Sequence, residues 1–129
     1  MKDLLYIFLG GGIGSCLRFS VSCLWQHLRL LPSFAGMLFP WPTFVVNILG
    51  CFLIGLFYTK SEAWDLRPES ALLLTTGLCG GLTTFSTFSY ESLSLLRTGH
   101  YAILGLYVSL SIVLGIIAAF APHFIMHHS

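Results

Sequence analysis

Four long apolar segments constrain the fold of this chain more than any other feature. They cover residues 4–25, 43–60, 70–97 and 101–120, and each can cross the hydrocarbon core of a bilayer as a helix. Hydrophobic residues make up 56% of the 129 residues and charged residues 9%, against about 25% charged residues in soluble domains. So few charges cannot cover the surface of a soluble globule. The sequence therefore predicts an all-α membrane protein, with residues 1–129 forming a single four-span domain.

Charge and chemistry exclude several function classes. The net charge of +1 and the absence of a basic run argue against a nucleic-acid partner. Neither the four cysteines nor the five histidines show the spacing of metal ligands, and no nucleophile–base set is visible. We therefore expect that the protein is not an enzyme.

The third segment contains the most unusual stretch of the chain, in which Gly80 and Gly81 are followed by Leu-Thr-Thr. At about 1.5 Å per residue the segment is about two turns longer than one crossing requires. The sequence predicts a helix that breaks at Gly80–Gly81, within residues 80–84, and resumes near Thr84. Irregular backbone at membrane depth is tolerated only where protein or a water-filled cavity surrounds it. This break is therefore the first candidate for a functional site.

Polar residues in the other segments each allow two interpretations. Arg18 either extends to the membrane interface or caps an aqueous vestibule that attracts anions. Asn47, which shares a helix face with Thr43, either bonds a neighbouring helix or lines a polar path. Phe85 and Phe88 share a face and form either ordinary core packing or part of a site. The fourth segment carries a single polar stripe formed by Tyr107 and Ser111.

Small residues and balanced charges predict how copies associate. Gly10 and Gly14 form a small-xxx-small pair, and Gly50 and Gly55 mark close packing in the second segment. The basic residues outside the spans divide almost equally between the two sides of the membrane. Lys2, Lys60 and Arg67 lie on the side of the termini, and Arg29 and Arg97 lie on the other side. Arg29 belongs to the first loop, residues 27–40. Without a positive-inside bias the chain should insert in both orientations. Antiparallel copies would then pair through their glycine faces into a homodimer.

Three motifs in this order resemble the Fluc (CrcB-type) fluoride channel family: GGGIGSCLRF, TFVVN and GGLTTFSTFS, the last the most specific. The resemblance covers nearly the whole chain. It implies a dual-topology antiparallel homodimer in the cytoplasmic (inner) membrane, with two fluoride pores. Its function would be passive electrogenic efflux of fluoride, which reduces cytoplasmic fluoride and its toxicity.

The resemblance also implies roles for individual residues. A structural sodium ion at the dimer centre would be held by the backbone carbonyls of Gly80 and Thr83 of both subunits. Arg18 would be the vestibule arginine and Glu91 the acid that follows the third motif. The implied pore and fluoride-path residues are Thr43, Asn47, Phe85, Ser86, Thr87, Phe88, Tyr107 and Ser111.

Two other functions compete with a channel. A small four-span multidrug antiporter needs a membrane-embedded acid, and Glu91 is the one acid here that could serve. A non-transporting assembly subunit would explain the glycines, but it would leave Asn47 and the Thr-Thr-Phe-Ser stretch without a role.

Overall fold

The computed structural model describes residues 2–29, 39–61 and 63–127, and residues 30–38 of the first loop lie outside this range. Helices long and apolar enough to cross a membrane span Lys2–His27, Trp41–Lys60, Pro68–Arg97 and Tyr101–Ile125. Over the described residues, the prediction of an all-α fold with four helices long and apolar enough to cross a membrane is confirmed. The elements in chain order are α1 (Lys2–Arg29), α2 (Trp41–Lys60), α3 (Pro68–Leu72), a π-helical segment (Leu73–Cys79), α4 (Gly80–Leu82), α5 (Phe85–Arg97) and α6 (Tyr101–His127).

Proline and glycine lie at three of the helix ends. Pro42 lies in the first turn of α2 and Pro68 opens α3, where a missing N–H is tolerated. Gly99 follows α5 with φ +78°, a conformation that favours glycine. A further proline, Pro122, lies buried inside α6 and does not end it. About one turn before Pro122, the backbone of Ala119 packs closely on Gly55 of α2. This contact holds the end of α6 in place although the proline has no N–H to donate.

The glycines of α1 pack against the backbone of the third span. A Cβ on Gly10 would meet the Leu73 carbonyl, and one on Gly77 would lie 2.9 Å from the Gly10 Cα. A Cβ on Gly14 would lie 2.7 Å from the Leu82 nitrogen. The close approach predicted from the Gly10–Gly14 pair is therefore real, but it occurs within one chain. The expectation that this glycine face pairs two copies is wrong, because the third span already covers it.

The break in the third span lies slightly later than the glycines suggested. Gly80 has helical φ/ψ (−63°, −38°), whereas Thr83 (−84°, 156°) and Thr84 (−151°, 126°) are extended. Glycine permits a break without requiring one, and Gly81 stays helical against the backbone of Gly11. The β-branched threonines favour the extended conformation that ends α4. The helix resumes at Phe85.

Candidate functional site

Asn47 holds the broken backbone in place. Its Oδ1 accepts a hydrogen bond from the Thr84 N–H at 2.8 Å, and its Nδ2 donates to the Thr84 carbonyl at 3.2 Å. One side-chain amide thus satisfies the donor and the acceptor of the same extended residue, as a neighbouring strand would. In lipid these two groups have no alternative partner in the solvent. The helix–helix hydrogen bond considered for Asn47 is confirmed, and its target is backbone.

Arg18 also bonds to the break. Its Nε donates to the Gly81 carbonyl at 3.2 Å, and the side chain is half-buried. The Gly81 carbonyl would bond the N–H of Phe85 in an unbroken helix, so Arg18 replaces a partner that the break removes. Sequence analysis did not predict this contact.

A groove of about 580 Å³, here called the inner groove, opens beside the break. It brings together six residues that the sequence assigned to a site, drawn from α2, the break, α5 and α6. Apolar and hydroxyl-bearing residues complete its wall. The lining residues are Asn47, Gly50, Cys51, Ile54, Thr75, Thr76, Cys79, Gly80, Thr83, Thr84, Phe85, Phe88, Ser111 and Ile112.

The two phenylalanines form a wall of this groove. Phe85 is 78% exposed, and its ring centroid lies 5.8 Å from that of Phe88. Phe88 in turn lies 4.9 Å from the ring of Tyr107. Ordinary core packing therefore does not account for Phe85, since its ring faces away from the interior of its own chain.

The Ser111 hydroxyl is a further polar group at the inner groove. Its Oγ is buried and has no hydrogen-bond partner within the described part of the chain. Leaving a buried hydroxyl unpaired costs about 1–3 kcal/mol. This hydroxyl belongs to a residue that lines the inner groove, where it can donate to or accept from a bound species.

Three more of the predicted residues line a second cavity of about 310 Å³, here called the outer pocket. They are Thr43, Thr87 and Glu91, and Thr87 bonds Thr84 of the inner groove. The complete lining is Ser22, Trp25, Gln26, Phe39, Pro40, Pro42, Thr43, Thr87, Tyr90, Glu91, Ser94 and Leu95. Nine predicted residues thus line one cavity or the other, whereas Arg18, Ser86 and Tyr107 line neither of these two.

Tyr107 lies between the two cavities and is fully buried. Its ring contacts Phe88 of the inner groove, and its hydroxyl donates to Glu91 Oε1 of the outer pocket at 3.0 Å. This side chain therefore links the groove wall to the carboxylate.

Thr84 is the residue that sequence analysis missed as a site member. Its Oγ1 accepts from the Thr87 N–H at 3.3 Å, which caps α5, and it lies 3.2 Å from the exposed Ser86 hydroxyl. The signal was present, because a threonine three residues before another polar residue at a helix start is a typical N-cap. The predicted restart near Thr84 places this residue inside the helix, whereas the structure places it at the N-cap.

The backbone at the break offers oxygen ligands to a cation. The Thr84 N–H bonds Asn47 and not the Gly80 carbonyl four residues back, so Gly80 loses its helical donor. The extended backbone of Thr83 likewise directs its carbonyl out of the helical ladder. Among the described residues no cluster of His, Cys, Asp or Glu could hold a metal ion. Backbone carbonyls suit a hard cation such as sodium, so the residues present fit a carbonyl site.

Comparison with known proteins places the chain in a family. Residues 5–123 match the family described as CrcB-like protein, Camphor Resistance (CrcB). The fluoride-specific ion channel FluC of Bacteroides fragilis is 50% identical over 121 residues, which cover 94% of this chain and 93% of that protein. FluC of Phocaeicola vulgatus is 51% identical over 119 residues, covering 91% and 92%. FluC 1 of Mycobacterium tuberculosis is 42% identical over 118 residues, covering 91% and 84%.

These matches cover the break, the glycine contacts and both cavities. All three relatives are named as ion channels, which confirms the expectation that the chain is not an enzyme. The four apolar helices agree with a multi-pass membrane protein. The chain therefore belongs to the CrcB-like protein family.

Proposed function

We propose that this chain is a fluoride channel and that the inner groove forms part of its permeation path. The observation that carries the proposal is the meeting of Asn47, Phe85, Phe88 and the unpaired Ser111 hydroxyl in one groove. The names of the relatives as fluoride-specific ion channels support the same conclusion, and the matches cover more than nine-tenths of the chain.

The chemistry of the groove suits a small, strongly hydrated anion. A pore for fluoride must replace its water with other donors, and hydroxyls supply them. Aromatic rings carry a positive edge and a negative face, so an edge directed at the path attracts an anion. The exposed Phe85 and the half-buried Phe88 line the groove together with Ser111, and their edges would face an anion there. A larger halide would fit poorly between the rings.

Two antiparallel copies would complete the site. Gly80 is exposed, and a Cβ there would meet nothing within 4 Å of its own chain. A second break can therefore approach this point, and the carbonyls of Gly80 and Thr83 from both copies would surround one structural sodium ion. The bound cation would supply a fixed positive field next to the anion path. Each dimer would contain two pores, one along each inner groove.

Efflux follows from the membrane potential. Hydrogen fluoride enters cells as a neutral weak acid and dissociates in the cytoplasm. An inside-negative potential drives each fluoride ion outwards with about 2.3 kcal/mol per 100 mV. A passive channel in the cytoplasmic membrane would thus lower cytoplasmic fluoride and its toxicity.

The deciding experiment measures fluoride release from liposomes that contain the purified protein and potassium fluoride. A fluoride electrode should record rapid release when a potassium ionophore provides a shunt, and little release without it. Liposomes loaded with chloride should retain that anion. Absence of fluoride release with the shunt present would refute the channel.

Replacing either groove phenylalanine should impair conduction while leaving assembly intact. We expect Phe85→Ile or Phe88→Ile to reduce fluoride flux about tenfold, equivalent to about 1.4 kcal/mol at the barrier. Isoleucine fills much of the space but has no positive ring edge. Size-exclusion chromatography should show the wild-type assembly. Wild-type flux in both variants would assign the rings to packing alone.

The sodium site is tested by Gly80→Ala. The added methyl group meets nothing in its own chain, so the fold should persist, but it would separate two breaks that meet at a two-fold axis. We expect a weaker dimer. In the wild type, sodium should raise the Tm relative to potassium, and this rise should be lost in Gly80→Ala. Gly105→Ala is the matched control, since that glycine of α6 is equally open. An unchanged sodium effect in Gly80→Ala would contradict the carbonyl site.

A further inference from the structure

Two cysteine thiols in the wall of the inner groove have no role in the proposed passage of fluoride. Cys51 belongs to α2 and Cys79 ends the π-helical segment, and both line the groove. Both are free; Cys51 is half-buried and Cys79 is buried. A thiol is only a weak hydrogen-bond donor, so it adds little to the binding of a hydrated anion. A thiolate, in contrast, is a strong ligand for soft metal ions.

Contact between α2 and the third span brings the two cysteines together. A Cβ on Gly50 would lie 3.8 Å from the Cys79 carbonyl oxygen and would meet the methyl group of Thr83. That carbonyl accepts hydrogen bonds from the Thr83 N–H at 3.0 Å and from the Thr83 hydroxyl at 2.9 Å. Cys51 follows Gly50 directly, and its thiol interacts electrostatically with that of Cys79. The pair is far apart in sequence, so spacing along the chain did not indicate it.

The number of available ligands favours one class of metal ion. Zinc in structural sites takes four ligands, usually cysteine and histidine. In the part of the chain that the structure describes, no third His, Cys, Asp or Glu side chain joins the pair to form such a set. Two thiolates without a third ligand suit the linear coordination of soft monovalent cations such as copper(I) and silver(I), and soft thiolates select copper(I).

We propose that Cys51 and Cys79 bind one soft monovalent metal cation between their sulfur atoms in the inner groove. On binding, two S–H bonds break, two metal–sulfur bonds form and two protons leave to the solvent. Two thiolates and one monovalent cation carry a net negative charge, which repels an anion that enters the groove. The bound metal would therefore block fluoride, and this consequence, unlike the metal binding, rests on the proposed channel function.

Silver(I) is the probe for the site, on the purified full chain carrying Cys16→Ser and Cys23→Ser, which leaves two of the four cysteines. The titration is followed by calorimetry in detergent and nitrate buffer, because chloride would precipitate silver. We expect one tightly bound silver ion per chain. Two weaker equivalents per chain, one for each thiol, would overturn the shared site.

The other two cysteines provide the matched control. A chain carrying Cys51→Ser and Cys79→Ser keeps Cys16 and Cys23, which are both exposed on α1. Seven residues separate them, or about 10 Å along the helix axis, whereas a metal–sulfur bond is about 2.3 Å long. One ion cannot bridge that distance, so silver should bind this pair at least about tenfold more weakly. Equal affinity for the two pairs would refute the proposal.

Single substitutions distinguish a shared ion from binding to either thiol. Adding Cys51→Ser to the chain that carries Cys16→Ser and Cys23→Ser leaves Cys79 alone, and silver affinity should fall at least about tenfold. Serine keeps the size of the half-buried cysteine, so the Tm in detergent should not change. Cys79→Ser in the same chain is the second test. Unchanged silver affinity in either variant would contradict a shared ion.

Fluoride release from liposomes separates the metal site from its effect on conduction. Silver should lower release about tenfold when Cys51 and Cys79 are both present and should leave it unchanged after Cys51→Ser. Silver that binds without lowering release would contradict the block, whereas the titration alone decides the metal site. Because the titration requires no fluoride flux, the metal site and the proposed channel function can fail independently.

Discussion

Asn47→Leu is expected to abolish fluoride flux and to destabilise the protein. Leucine has nearly the shape of asparagine but can neither accept from the Thr84 N–H nor donate to the Thr84 carbonyl. Two backbone groups then remain unpaired in the membrane, each at about 1–3 kcal/mol. The free energy of unfolding should fall by at least about 2 kcal/mol, measured by denaturation in detergent. Flux should fall to that of protein-free liposomes.

Asn47→Asp distinguishes positioning of the break from loss of a pore ligand. Aspartate still accepts from the Thr84 N–H but cannot donate to the carbonyl, so its stability should lie between those of the wild type and Asn47→Leu. If Asn47 only lined the path, Asn47→Leu would lose flux while keeping wild-type stability. That result would contradict the role assigned to its two hydrogen bonds.

Gly14→Ala should have the largest effect on folding. A Cβ there would meet the Leu78 carbonyl and lie 2.7 Å from the Leu82 nitrogen and 3.1 Å from the Gly81 carbonyl carbon. These are backbone atoms, so the helices themselves must separate. We expect a loss of about 3 kcal/mol or failure to yield folded protein, since overpacking of side chains alone costs about 1–3 kcal/mol.

Gly12→Ala is the matched control on the same helix, because a Cβ at Gly12 meets nothing within 4 Å. This variant should be as stable as the wild type or gain up to about 1 kcal/mol from better helix propensity. Both are compared by thermal unfolding in detergent. Equal stability of the Gly14→Ala and Gly12→Ala proteins would show that the backbone contact of α1 with the third span is dispensable.

The positions of individual residues were predictable to different degrees. Asn47, Phe85, Phe88 and Ser111 were all identified from sequence as site residues, and they line one groove. Glu91 was also identified, but its placement in a separate pocket was not, because the spacing along α5 does not show which neighbouring helices cover each face.

The exact position of the break could not be predicted from local sequence preferences. The Gly-Gly pair suggested a break at residues 80–81, yet these glycines are helical and the threonines after them are extended. Residue 81 must be glycine because a Cβ there would meet the backbone of Gly11 in α1, which is distant in sequence. Gly81 therefore indicates close helix packing and not the position of the break. The hydrogen bonds of Asn47 to Thr84 fix the position of the break.

The sequence by itself determined that four helices cross a membrane and that the third is interrupted. Hydropathy and helix-end signals are local, and lipid leaves few alternatives to a helix for an apolar segment. Tertiary structure alone decided that the α1 glycines pack on their own third span, that Asn47 and Arg18 satisfy the broken backbone, and that the polar residues divide between two cavities. These outcomes depend on which helices are neighbours and how they are rotated, and they arise from contacts between residues far apart in the chain.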